Sequence, residues 1–186
     1  FAPEPTTAAT STITAPMGPT AIKDVNAVTD DKTRLSYWFP LIAAAGLPVP
    51  QTKIVRVSDD DMALLYPFVL DQEGGPEPWH RLIAAIKSAA KELPGPPYFL
   101  RTDYLSGKHG WVETCYVADL DTVPNHVSRI AEESEMCDIM GRPWDVWVVR
   151  EFLPTIATFS AFQGMPIARE FRYFVLEPAD YGTDVR

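Results

Sequence analysis

Cysteine is scarce in this chain. Cys115 and Cys137 stand alone, with no CxxC and no histidine at ligand spacing, which argues against a disulfide framework or a zinc site. Two free thiols suit a reducing compartment, so a cytoplasmic address is expected. Basic charge is short as well. Sixteen Lys and Arg against 25 Asp and Glu leave a formal net charge of −9, the wrong sign for wrapping bare DNA or RNA. A local basic patch for a small anion is compatible with that balance. No apolar run is long enough to span a bilayer, so no membrane partner is expected, and no signal-peptide pattern is visible.

What is present is an ordinary globular composition. Hydrophobic residues make up 46% and charged residues 22% of 186 residues, enough for one domain with a real core or two small lobes. Phe1 to Lys23 is rich in Pro, Thr and Ala without periodicity. It is expected to be an extended arm, with no core of its own, that lies against the body or a partner. The chain starts at Phe1 and stops at Arg186, in turn-like sequence after an apolar strand, and is expected to be a piece of something longer.

A helix is predicted over Asp30–Ala45, capped by Asp30 or Asp31, with Leu35, Trp38, Phe39, Ile42 and Ala45 at helical spacing, a kink or break at Pro40 and a stop at Gly46. An extended linker leads into a strand at Lys53–Val57. Asp59, Asp60 and Asp61 offer a solvated turn, a helix start or, with three carboxylates, a hard-cation site. Tyr66–Leu70 reads as a short strand and Asp71–Pro78 as a loop. Trp79–Leu93 reads as an amphipathic helix buried through Leu82, Ile83, Ile86, Ala89, Ala90 and Leu93, with His80 at the surface. A further helix follows a Thr122 cap, burying Val127, Ile130, Ala131 and Cys137 and turning Glu132, Glu133 and Glu135 to water, until Gly141. Trp144–Leu153 is an apolar strand. Thr155–Pro166 is mixed, with a turn at Gln163 and Gly164, and Ala168–Leu176 is a last strand. Strands mixed with helices and one hairpin predict an α+β fold with helices on one side of a sheet.

The stretch Pro97–Trp111, PYFLRTDYLSGKHGW, organises the rest. It reads as a strand delivering Arg101 to its polar end, a turn of Ser106, Gly107, Lys108, His109 and Gly110, and a second strand running on to Tyr116. Glycines expose backbone N–H groups, and such groups beside a Lys and an Arg favour a polyanion. The alternative is a β-hairpin with a solvated basic turn.

Together, YFLRTDYLSGKHGW, VWVVREFLP, REFRYFV and the upstream FPLIAAAGLPVPQTKIV resemble an ATP-grasp protein. The first resembles the nucleotide-clamping strand and loop of the small lobe, the second the hinge strand at the adenine, and the third the first strand of the large lobe. The patterns are most similar to phage and bacterial ATP-grasp proteins of the clade with an Arg/Lys exchange at the nucleotide site. They are also similar to the eukaryotic cell-division-cycle ATP-grasp proteins that assist assembly of a translation initiation factor. The match covers the second half of the chain well and the first half loosely. It implies an arm over 1–23, an N-terminal α/β pre-domain over 24–96, a small lobe over 97–153 and the start of a large lobe over 154–186.

By that resemblance Arg101 stands where most such enzymes carry a phosphate-binding Lys, and it keeps the charge while adding a planar fork. Lys108, with Ser106 beside it in the flexible loop, would cover the β- and γ-phosphates. Arg150 replaces the usual acidic or amide residue at the adenine, a departure from the pattern. Glu151, Phe152 and Leu153 would supply hinge backbone groups and an apolar wall. Glu170 would bond the ribose hydroxyls and Arg172 would meet phosphate; read alone, the two are an exposed charge pair on a strand. The implied cofactors are ATP and Mg2+, but no sequence after Leu176 fits the metal-ligand pattern, and catalytic residues are unassigned. The implied function is nucleotide binding within an ATP-dependent carboxylate–amine ligase or modification enzyme that works through an acyl-phosphate on an unknown acceptor, possibly a protein, in the host cytoplasm if the chain is phage-encoded. The alternative is a non-catalytic assembly or binding module, or a structural component of a virion or complex.

Overall fold

The computed structural model describes residues 31–66, 75–137 and 141–171. These form an α+β fold on a four-stranded antiparallel sheet. Its strands are β1 (Thr52–Arg56), β2 (Tyr98–Thr102), β3 (Tyr116–Val117) and β4 (Val146–Glu151), in the order β1-β4-β2-β3. The sheet therefore draws on both the 24–96 and the 97–153 stretches. Its register pairs Ile54 with Val148, Leu100 with Val149, Phe99 with Arg150 and Phe99 with Tyr116. β4 is covered on both faces, Trp147 and Val149 on one and Val146 and Val148 on the other, which explains its unbroken apolar run.

One face carries three helices: α2 (Asp59–Leu65), α3 (Glu77–Lys91) and α4 (Val123–Met136). Val55, Leu100, Val117, Trp147 and Val149 meet Leu82, Ile86, Ala90, Val127, Ile130 and Ala131 in the main core. The stripe expected on α3 is buried throughout, and His80 is exposed. Ser58 caps α2 by accepting from the Asp61 amide, and the three aspartates fill the first turn, where the helix dipole favours them. Asp61 also pairs with Arg81 at 2.5 Å. The acid run is thus a helix start. Tyr66 closes this helix instead of opening a strand, because Met62 and Leu65 are buried at helical spacing; the rest of the Tyr66–Leu70 strand lies outside the described residues.

The opposite face receives α1 (Leu35–Ala44), whose Leu35 packs with Ile54, Val146 and Val148 while Trp38 and Phe39 lie over them. This helix starts later than expected and runs through Pro40 without a break. Asp31 folds a turn ahead of it, accepting from the Thr33 amide at 2.9 Å. The helix has no cap of its own. Asp103, at the end of β2, supplies one across 67 residues, accepting from the Ser36 amide at 2.8 Å and the Ser36 hydroxyl at 2.7 Å. Arg34 then bridges Asp103 Oδ2 at 2.7 Å and Asp145 Oδ1 at 2.6 Å. These bonds raise the guanidinium pKa against the opposing effect of burial, which is larger than either bond alone.

The last third departs most from expectation. Thr155–Pro166 contains a hairpin, β5 (Ala157–Ala161) and β6 (Met165–Ala168), around the anticipated turn at Gln163 and Gly164. β6 ends at Ala168, opposite Ala157, where β5 begins and the ladder has no further partner. Arg169–Phe171 therefore continue without strand structure, and the remainder of the expected Ala168–Leu176 strand lies outside the described residues. The α4 glutamates are also misassigned. Glu132, Glu133 and Glu135 are half-buried, and Glu135 accepts from the Trp144 indole at 3.2 Å. Cys137 follows the helix, half-buried. Among the described residues no helix is long and apolar enough to cross a membrane.

The Asp103 carboxylate is fully desolvated, with 0% side-chain exposure. Asp103→Ala, which strands Arg34 and uncaps α1, should cost roughly 3–5 kcal/mol in urea unfolding. A loss below about 1 kcal/mol would show that the cluster is not what seats α1.

Candidate functional site

Alternation along the antiparallel pair puts Phe99, Arg101, Tyr116, Val148 and Arg150 on the α1 face of the sheet. Arg101 and Arg150 are diagonal neighbours there, both half-buried. Arg101 Nε donates to the Thr102 carbonyl at 2.9 Å and its Nη2 to the Asp103 carbonyl at 3.2 Å. Arg150 lies with its Cζ 5.1 Å from the centre of the Phe39 ring on α1. Its Nε is buried and, among the described residues, has no hydrogen-bond partner. Neither arginine forms an ion pair with a described residue, although Arg34 nearby takes two carboxylates.

Two cations without carboxylates on one desolvated face are held uphill. Burial pushes the Arg150 guanidinium down to about 10, and the charge of Arg101 adds to the effect. Burial likewise lowers Arg101, with the field of Asp103 partly opposing it. Such a pair is relieved by an anion with several acceptor oxygens.

Beside the arginines lies an aromatic cluster. Trp111 stacks on Tyr116 at 5.2 Å between ring centres, and Phe152 meets both edge-on at 6.2 and 5.4 Å. Phe99 completes the group 6.4 Å from Trp111, and Cys115, Met165 and Ile167 pack around it. Cys115 is fully buried, and burial pushes its thiol up to about 11, which makes it a core residue.

The glycine turn is a pair of short 3-10 turns over Lys108–Glu113, kinked at Trp111, where φ is 20°. The second hairpin strand expected from Trp111 is therefore reduced to Tyr116–Val117. Trp111 turns its ring into the aromatic cluster, and the backbone leaves the ladder to let it. Gly107 adopts φ 56°. A Cβ there would lie 3.0 Å from Thr114 Cβ and 3.1 Å from Glu133 Oε2, and one on Gly110 would lie 2.6 Å from Thr114 Cγ2. The glycines thus make room for the turn's own packing, with the Thr114 hydroxyl bonded to the Gly107 carbonyl. Burial raises the pKa of Glu133, against a smaller pull from His109.

Ser106 is half-buried and Lys108 exposed. The turn rests against β6, and His109 meets Phe162 of the β5–β6 turn at 4.7 Å between rings. Glu151 is engaged at the start of β1, where its Oε1 accepts from the Gln51 amide at 2.7 Å. Leu153 is exposed, as is Glu170. Arg172 lies outside the described residues. Phe39, Asp103 and Arg34 were not marked as site residues. The one sequence signal was an arginine in the middle of an apolar strand, which requires something on another element to face it.

No family model, curated protein or solved structure matches the chain.

His126 underlies the turn, and its Nδ1 donates to the Thr114 carbonyl at 2.6 Å. Burial lowers its pKa, against a smaller raising effect of that hydrogen bond. The unfolded chain therefore takes up a proton first, near pH 6.5, and stability should fall as pH drops from there through the lowered folded pKa. His126→Gln should flatten that part of the curve of urea midpoint against pH. An unchanged slope would remove His126 from the account.

Proposed function

We propose that this chain is a nucleotide-binding protein of the ATP-grasp type, with Arg101 and Arg150 receiving phosphate oxygens. The observation that carries this reading is the half-buried arginine pair, which has no carboxylate partner among the described residues and whose one buried Nε lacks any described partner. Burying two like charges side by side disfavours the fold, and a bound polyanion offsets that cost. The neighbouring Phe99, Trp111, Tyr116 and Phe152 supply an apolar, aromatic wall suited to a planar base. Lys108, exposed on a turn that rests against β6, suits a closing cation.

The residues fit the nucleotide better than its metal. Among the described residues no group of three or more His, Cys, Asp or Glu is placed to hold a metal ion. Magnesium, where it is bound, would neutralise phosphate charge. Within the ATP-grasp reading the chain supplies the nucleotide-binding part of an ATP-dependent carboxylate–amine ligase or modification enzyme. A non-catalytic assembly module would use the same arginine pair without the metal.

Titration of the full chain with ATP, with and without magnesium, tests the reading. Arg101→Ala should weaken binding roughly 10- to 100-fold, and Lys108→Ala by less. Arg150→Met gives the sharper signature. It should abolish binding while raising stability by roughly 0.5–2 kcal/mol, because a desolvated charge disappears. Absence of ATP binding in the intact folded protein would refute the reading, as would Arg150→Met that lowers stability and leaves affinity unchanged.

A further inference from the structure

We infer that α1 forms a working wall of the anion site, and that Phe39 is a positioning residue that holds the plane of the Arg150 guanidinium. This deepens the nucleotide reading and rests on it. Three observations support the assignment. The Phe39 ring centre is 5.1 Å from Arg150 Cζ, within range of a cation–π contact. No described side chain bonds Arg150 Nε and none forms an ion pair with Arg150, so the ring is the contact that can orient this group. Arg101, in contrast, is oriented by two carbonyls.

Phe39 is itself fixed from both sides. It lies over Leu35, Ile54, Val146 and Val148 and meets Trp38 edge-on at 6.4 Å. The helix that carries it is seated by Asp103, whose carboxylate takes Ser36 and Arg34. The carbonyl of the same residue takes Arg101 Nη2 at 3.2 Å and the Leu35 amide at 3.4 Å. One residue therefore holds Arg101 directly and Arg150 through α1 and Phe39. A guanidinium over a ring can still offer N–H groups to oxygens, and an oriented fork loses less freedom when the anion arrives.

The test reads Arg150 directly and then reads affinity. In the wild-type chain the Arg150 Nε–H signal, assigned by its disappearance in Arg150→Met, should be shifted upfield by the Phe39 ring in a 15N–1H spectrum. Phe39→Leu, close in volume but without a π face, should lose that shift and bind ATP and pyrophosphate roughly 3- to 30-fold more weakly. Phe39→Tyr should restore both. An Arg150 signal without a ring shift in the wild type overturns the role of Phe39 without any variant. Equal affinity in Phe39→Leu and wild type overturns that role alone and leaves the nucleotide reading standing. A wild-type chain that binds neither ATP nor pyrophosphate overturns both, and is recognised before any variant is made.

Discussion

The desolvated carboxylate of Asp103 is the constraint on which the rest of this structure depends. It ends β2, caps a helix that begins 68 positions earlier and neutralises Arg34, which continues to Asp145 beside β4. A buried carboxylate is tolerable only when its lone pairs are filled, and here Ser36 and Arg34 fill them. Three separate segments are thereby held in one geometry. Hydrophobic burial of Leu35, Ile54, Val146 and Val148 draws α1 to the sheet, but it is non-directional. The ionic cluster adds a defined rotation and position, which apolar contact alone would leave loose.

The same face of the sheet treats its cations in two ways. Arg34 is fully matched, and its pKa rises. Arg101 and Arg150 have no carboxylate partner among the described residues, and theirs fall. If basic residues on this face served only to stabilise the fold, carboxylates would be expected beside all three. The contrast is between an arginine with two carboxylate partners and two that have none among the described residues. Perturbed ionisable groups arise at functional sites and in structural networks alike.

Much of the architecture was legible. α3 was readable from Leu82, Ile83, Ile86, Ala89, Ala90 and Leu93, since an amphipathic stripe of that length has one stable solution against a sheet. β1, β2 and β4 were readable from apolar runs bounded by Pro, Gly and Asp. The β5–β6 hairpin was not, because Ala157, Thr158 and Ser160 are small, polar or exposed and give no alternation to follow. Trp111 read as a strand residue because aromatics favour strands, yet its ring had better company at Tyr116 and Phe152 than in the ladder. The α4 glutamates read as solvated because Trp144 and the glycine turn, which approach Glu135 and Glu133, lie outside the helix.

Local chemistry by itself determined the α3 stripe, the strand cores of β1, β2 and β4 and the turn at Gly107. It also singled out Arg101 at the polar end of an apolar strand, because these features depend on neighbours within a few positions. Only the tertiary structure decided that Arg101 and Arg150 share one face, that Phe39 covers one of them and that Asp103 reaches α1. Those outcomes follow from strand register and desolvation, and both are properties of how distant segments meet.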